Sequence, residues 1–286
     1  MIGFDDRLQT MTSLLMKMAT TAMLLTMAML TGCSDDDASP TDDYSREQPF
    51  TLTVSEVPWE NVSKSVSTRS NETMLNALKE SAEGIGLYSE DLDLVNRQVT
   101  FINNTWPIEP TVFWPQTINT ANIYAYAPYN VSTDYSGTTI KYTMNAGSPV
   151  DLLWAKAEAT KTTGGASLNF RHALAKLSFT VTDNTGGTLT TNYIYISGTL
   201  YNYDYFDFST GTWTHVNAGT DTYSNIDCYN TGPKYFIPGP NITATFNYNV
   251  GSYGPYTASF RVTLEQGKYT VVNITVGTNH EVVIED

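Results

Sequence analysis

Leu168-Asn169-Phe170-Arg171-His172-Ala173-Leu174-Ala175-Lys176-Leu177-Ser178-Phe179-Thr180-Val181 decides the fold class. Leu168 and Phe170 share one parity, while Leu177, Phe179 and Val181 share the other. Side chains on a strand alternate between faces, so each flank reads as a half-buried strand. The apolar face must then change sides within residues 171–176. A bulge, a helical turn or a crossing between sheets absorbs such a change. His172 lies inside the switch with no base, nucleophile or metal ligand at motif spacing. It reads as a buried histidine satisfied by backbone groups.

The same alternation recurs outward from this stretch, at residues 50–54, 98–102, 122–127, 192–196, 243–249, 256–264 and 269–276, with Gly, Asn, Pro or Asp between the runs. Thr, Tyr, Val, Asn and Gly are abundant and helix formers scarce, which suits a pleated, half-buried surface. The rhythm predicts an all-β sandwich protein rather than an α/β fold. Only residues 72–83, with Leu75, Leu78 and Ala82 on one side and Gly84 as a stop, show helical spacing, so one short helix is expected there. Asp183-Asn184-Thr185-Gly186-Gly187 is the strongest break. It sets the expected domains at 50–183 and 184–286.

Near the N-terminus, residues 19–30 form an apolar run of signal-peptide length, too short to span a bilayer. It ends in Leu30-Thr31-Gly32-Cys33, which resembles a bacterial lipobox. Residues 1–32 are therefore expected to be a lipoprotein signal, with Cys33 the acylated, palmitate-bearing N-terminus that ties the chain to the outer membrane. Asp5 and Asp6 fit poorly in a basic leader, so translation is expected to begin at Met16 or Met18 rather than Met1, with Lys17 as the flank. Ser34, Asp35, Asp36 and Asp37 resemble the surface-export tag of Gram-negative lipoproteins, and residues 33–49 otherwise read as a solvated tether.

A formal net charge of -14 argues against nucleic acid and against anionic membrane surfaces as partners. Once Cys33 is acylated only Cys228 remains, which excludes disulfides and cysteine-based metal sites. Cys228 reads as a small buried hydrophobe. His172, His215 and His280 are isolated, and no nucleophile elbow or phosphate loop occurs. Asp204 and Asp207 differ in strand parity and so are not expected to share a face. Neither catalysis nor a cofactor or metal is expected. Tyr193, Tyr195, Tyr201, Tyr203 and Tyr205 either line the core or form an exposed aromatic platform suited to a glycan.

Four blocks carry a family resemblance: Phe113-Trp114-Pro115; Ile123-Tyr124-Ala125-Tyr126-Ala127-Pro128; Asp151-Leu152-Leu153-Trp154-Ala155; and Leu168 through Leu177. With Trp106 ahead of them, their order and spacing resemble the fimbrillin-like proteins. Gly211-Thr212-Trp213, Phe236-Ile237-Pro238-Gly239 and Leu264-Glu265-Gln266-Gly267-Lys268-Tyr269 are similar to that family's weaker C-terminal landmarks. The resemblance implies two tandem transthyretin-like β-sandwiches, the first with a short helix. It also implies a structural, tip or anchor subunit of a type V pilus, with other fimbrillin subunits as partners and adhesion as the role. In that system a protease cuts after a basic residue near the N-terminus, and a strand from another subunit fills the groove left behind.

Here the cut is expected after Arg69, or second best Lys64, because residues 56–71 are polar and Ser/Thr-rich, the composition of an exposed loop. Either cut would release the strand at 50–54; cleavage at Arg46 would leave it in place. Val282, Val283 and Ile284 supply a candidate donor strand. A monomeric, lipid-anchored glycan-binding lipoprotein is the alternative.

Overall fold

The computed structural model describes residues 48–61, 74–129, 135–144, 150–229 and 232–285. The described residues form three sheets and one short helix, α1 (Met74–Glu80), whose inner side is Leu75 and Leu78. Gly84, at φ 71°, follows in the left-handed region, where a side chain would be strained, and a Cβ there would lie 2.2 Å from the Val99 carbonyl oxygen.

The first sheet has the order β1 (Thr51–Glu56), β9 (Gly165–His172), β8 (Leu153–Thr160), β5 (Thr120–Ala127), β3 (Ile85–Ser89), β4 (Leu94–Val99). All its pairings are antiparallel except the edge pair β1–β9. One face packs Leu87, Ile123, Leu153, Leu168 and Phe170 into a first core, joined by Leu78 of α1 and by Trp106, Ile108 and Trp114 from the segment between β4 and β5.

The second sheet runs β14 (Lys234–Phe236), β10 (Ala175–Asp183), β17 (Lys268–Val276), β18 (Val282–Glu285), with β2 (Glu60–Asn61) also laid on β17. The third runs β16 (Tyr253–Leu264), β15 (Gly239–Val250), β11 (Leu189–Asp207), β7 (Thr139–Thr143), β6 (Tyr135–Ser136), with β12 (Thr212–Trp213) and β13 (Gly219–Asp227) also on β11. Leu177, Val272 and Ile274 of the second sheet and Ile194, Ile196, Phe206, Phe246 and Val262 of the third bury one another in a second core. Tyr126 and Trp154, from the opposite face of the first sheet, reach into it as well.

The parity switch is a crossing between sheets. In β9 Ala166, Leu168, Phe170 and His172 are buried and their neighbours are not; the chain then passes through fully buried Ala173 and Leu174 into β10. Backbone groups at the crossing are satisfied from three sides, as burial demands. The Ala173 N–H donates to the Leu152 carbonyl (2.8 Å), the Trp213 indole N–H donates to the Ala173 carbonyl (2.8 Å), and the Gly267 N–H donates to the Leu174 carbonyl (2.8 Å). The break at 183–187 falls at the end of β10, whose ladder partners are β14 and β17 of the C-terminal half.

Candidate functional site

β1 is held to the body by one backbone ladder. It pairs in parallel with β9 from Thr51↔Gly165 to Glu56↔Phe170, across more than a hundred intervening residues. Gly165 permits the approach: a Cβ there would stand 2.2 Å from the Thr51 carbonyl oxygen. The ladder is extended by Thr51 N–H to the Gly164 carbonyl (3.0 Å) and Val57 N–H to the Phe170 carbonyl (2.7 Å). The Thr53 hydroxyl donates to Ser167 Oγ (2.8 Å), and Ser55 bonds Asn169 on the same outward side. Inward, Leu52 and Val54 pack on the first core, and Phe50, just ahead of the strand, is buried edge-on against Trp114.

The third inward side chain is a carboxylate. Glu56 is 4 % exposed at its side chain; its Oε2 accepts the Leu75 backbone N–H at 2.6 Å and its Oε1 lies 3.6 Å from His172 Nε2. On the other side of the imidazole, Nδ1 is 2.7 Å from Asp151 Oδ2, and the Trp59 indole stacks on the ring at a centroid distance of 3.8 Å. A ring carrying a proton on each nitrogen donates toward both carboxylates, whereas a neutral ring serves one at a time. Lys176 completes the cluster, its ammonium over the rings of Trp59, Tyr235 and Tyr269. Burial pulls that ammonium below its ordinary range against the opposing pull of Asp151 and Glu56. Burial first, and then the negative charge of Asp151, holds the Tyr142 hydroxyl well above its usual value. The same causes, with Tyr269 and Glu56 adding, push Tyr235 up to about 12.

His172 is therefore buried as the sequence implied, yet its partners are two carboxylates and an indole rather than backbone groups. The other histidines also have partners. His215 Nδ1 lies 2.6 Å from the fully buried Asp204, and His280 Nδ1 lies 2.9 Å from the Tyr256 hydroxyl. Asp204 and Asp207 serve separate turns: Asp204 accepts the His215 N–H (3.2 Å), Asp207 the Ser209 N–H (2.8 Å). Among the described residues no group of three or more His, Cys, Asp or Glu is placed to hold a metal ion. Cys228 is buried and its thiol is pushed up to about 12, chiefly by that burial.

Val282, Val283 and Ile284 form most of β18, which folds back as an antiparallel partner of β17. Val282 and Ile284 pack on the second core, while Val283 is 50 % exposed. On β11, Ile194, Ile196, Leu200 and Phe206 are buried, and the odd-numbered tyrosines, of opposite parity, are half-buried; Tyr193 and Tyr195 stack at 3.9 Å. Cys33, Ser34, Asp35, Asp36, Asp37, Lys64 and Arg69 lie outside the described residues.

A family model described as Fimbrillin-like matches residues 68–286. No curated protein sequence matches. A fimbrial protein from Bacteroides vulgatus has a similar fold, with a TM-score of 0.55 at 17% identity over 83% of this chain and 98% of its own. A candidate cell adhesion protein from Bacteroides uniformis has a TM-score of 0.56 at 18% identity, covering 84% of this chain and 98% of its own.

Proposed function

The chain belongs to the fimbrillin-like family, and from that premise we propose that it is a surface lipoprotein subunit, structural or tip, of a type V pilus that assembles by protease-triggered donor-strand exchange and serves adhesion. Acylation at Cys33 would carry it to the outer membrane, and Ser34 with Asp35, Asp36 and Asp37 would direct it outward. The observation that supports exchange is β1: an edge strand, on a single ladder, whose inward side chains belong to the first core. Residues 62–73, which contain Lys64 and Arg69, join β2 to α1. A cut there separates β1 from everything it packs on. The vacated edge of β9 and the apolar strip beside it are costly to leave open, and β-augmentation by another subunit repairs both. The donor is residues 280–285 of a second copy or a longer C-terminal strand of a different subunit. The reading keeps two domains, 50–183 and 184–286, with β10 and β7 of the first reaching strands of the second.

Arginine-specific digestion tests the reading. The N-terminal fragment should leave, and the processed protein should form oligomers that ladder on mild heating in detergent. A nicked protein that keeps its fragment and stays monomeric at high concentration, together with normal filaments from cells carrying Arg69→Ala and Lys64→Ala, would overturn it. Separately, Cys33→Ala should abolish fatty-acid labelling.

The glycan-binding alternative is supported by a cleft of about 390 Å³ lined by Ser89, Glu90, Asp91, Asn122 and Tyr124. The Ser89 hydroxyl there is buried without a hydrogen-bond partner, and an aromatic ring beside carboxylates and an amide suits a sugar. Binding on a glycan array that Tyr124→Ala abolishes would favour this reading, and a monomer that binds no glycan would remove it.

A further inference from the structure

We propose, resting on the strand-exchange reading, that the groove vacated by β1 ends in a carboxylate socket, so that the entering strand must carry the pattern apolar-x-apolar-x-acid. The pattern is that of β1 itself: Leu52 and Val54 face the core and Glu56 is the next inward residue. The cluster around Glu56 divides cleanly at the proposed cuts. Glu56 and Trp59 lie before Lys64 and Arg69 and leave with the fragment; His172, Asp151, Lys176 and the Leu75 N–H remain on the body.

Three things happen in the remaining body when Glu56 goes. The Leu75 N–H loses the oxygen it donates to at 2.6 Å. His172 Nε2, which has no hydrogen-bond partner beyond the 3.6 Å approach of Glu56, faces the emptied place. The local charge also shifts by one toward positive, because Lys176 and His172 are left with Asp151 alone. Tyr142 and Tyr235, which the Asp151 charge reaches, carry no positive charge, and Lys268 on the next strand loses its own partner Glu60 in the same cut. An apolar inward side chain would leave the Leu75 N–H without an acceptor and an amide would restore that bond without the charge, whereas a carboxylate restores the bond, the approach to His172 and the charge balance.

This chain holds a segment of that pattern. In Val282-Val283-Ile284-Glu285-Asp286, laid parallel to β9 as β1 is, Val282 takes the place of Leu52, Ile284 that of Val54, and Asp286 that of Glu56. A slip of one residue would turn Val283 and Glu285 inward, and a reversed strand would put Asp286 against the core. In β18 the same side of the strand, Val282 and Ile284, is already the packed one. Asp286 lies outside the described residues and enters by residue type alone. The occupant is accordingly a second copy of this chain, entering through residues 282–286.

The test uses protein processed at arginine and labelled peptides, which need no substitution in the body. Peptides of residues 48–61 and 278–286 should both bind the processed chain, and their Glu56→Gln and Asp286→Asn versions should bind about tenfold more weakly, the loss of one charge-assisted contact. On a His172→Gln body the preference for acid over amide should shrink. Equal affinities for acid and amide peptides would overturn the socket while leaving strand exchange standing. Binding of the 48–61 peptide without the 278–286 peptide would overturn the assignment to a second copy. If the N-terminal fragment never leaves and no peptide enters, the exchange reading fails and the socket with it.

Discussion

β1 and β18 are both short edge strands held by one ladder, and in both half-buried residues alternate with exposed ones. They differ in how the chain reaches them. β18 closes a hairpin on β17 through residues 277–281, its turn fixed by the His280 N–H to the Gly277 carbonyl (3.0 Å) and by the Tyr248 hydroxyl to the His280 carbonyl (2.7 Å). β1 meets β9 from 114 residues away. A hairpin strand that detaches closes again quickly, because its loop is short. β1 stays at high local concentration only while the segment after it is intact, and one cut there removes that advantage. Under the proposed exchange, β1 is the edge that would be emptied for good and β18 the one that would reach out without being lost.

The comparison is most exposed at the acid end of β1. Asp151→Ala should cost about 3 kcal/mol in urea unfolding, because it strands His172 in a buried site. A loss near zero would mean that the cluster holds nothing. Gly165→Ala should cost about 1–2 kcal/mol, since the new Cβ collides with the Thr51 carbonyl. It should speed amide exchange in β1 while leaving β18 unchanged; equal effects on both strands would erase the distinction. Tyr248→Phe is the mirror experiment. Losing its bond to His280 should cost about 1 kcal/mol and loosen β18 but not β1. Val283→Thr, on the exposed side of β18, should stay within about 0.5 kcal/mol by the same unfolding measurement. A larger loss there would mean that this face is already covered.

The sequence carried the local features well. Alternation on either side of 171–176 announced a change of buried face, though not whether a bulge, a helical turn or a crossing made it, and Leu75 with Leu78 announced α1. What it hid was non-local. β11 is one bulged strand of 19 residues, of which the alternation at 192–196 and the tyrosines up to Tyr205 showed only parts. The parallel β1–β9 pair leaves no turn signal, since nothing near Thr51 points to Gly165. His172 looked isolated because its partners, Asp151 and Glu56, come from other strands at spacings that match no motif. Two weak signals were available: Asp151 abuts the apolar run Leu152-Leu153-Trp154, and Trp59 is an apolar residue entering a polar stretch. Trp59 is an odd choice for an exposed loop position, and an Asp set directly against an apolar run is a candidate for burial with a partner. The half-buried row of tyrosines on β11 was legible only as a parity, because sequence alone does not say which parity faces in.

The long reach of the first strand also sets an order of events. Thr51 cannot dock until Gly165 exists and β9 is in place, and Glu60 must wait for Lys268. The antiparallel pairs β3–β4, β3–β5, β5–β8 and β8–β9 join strands closer together in sequence and can form earlier. The last closure of the first sheet is thus the arrival of its own N-terminal strand. Under the proposed exchange, a molecule that has lost β1 is not a damaged version of the folded protein; it resembles the species that stood one step short of completion, and a strand that fits would take that step.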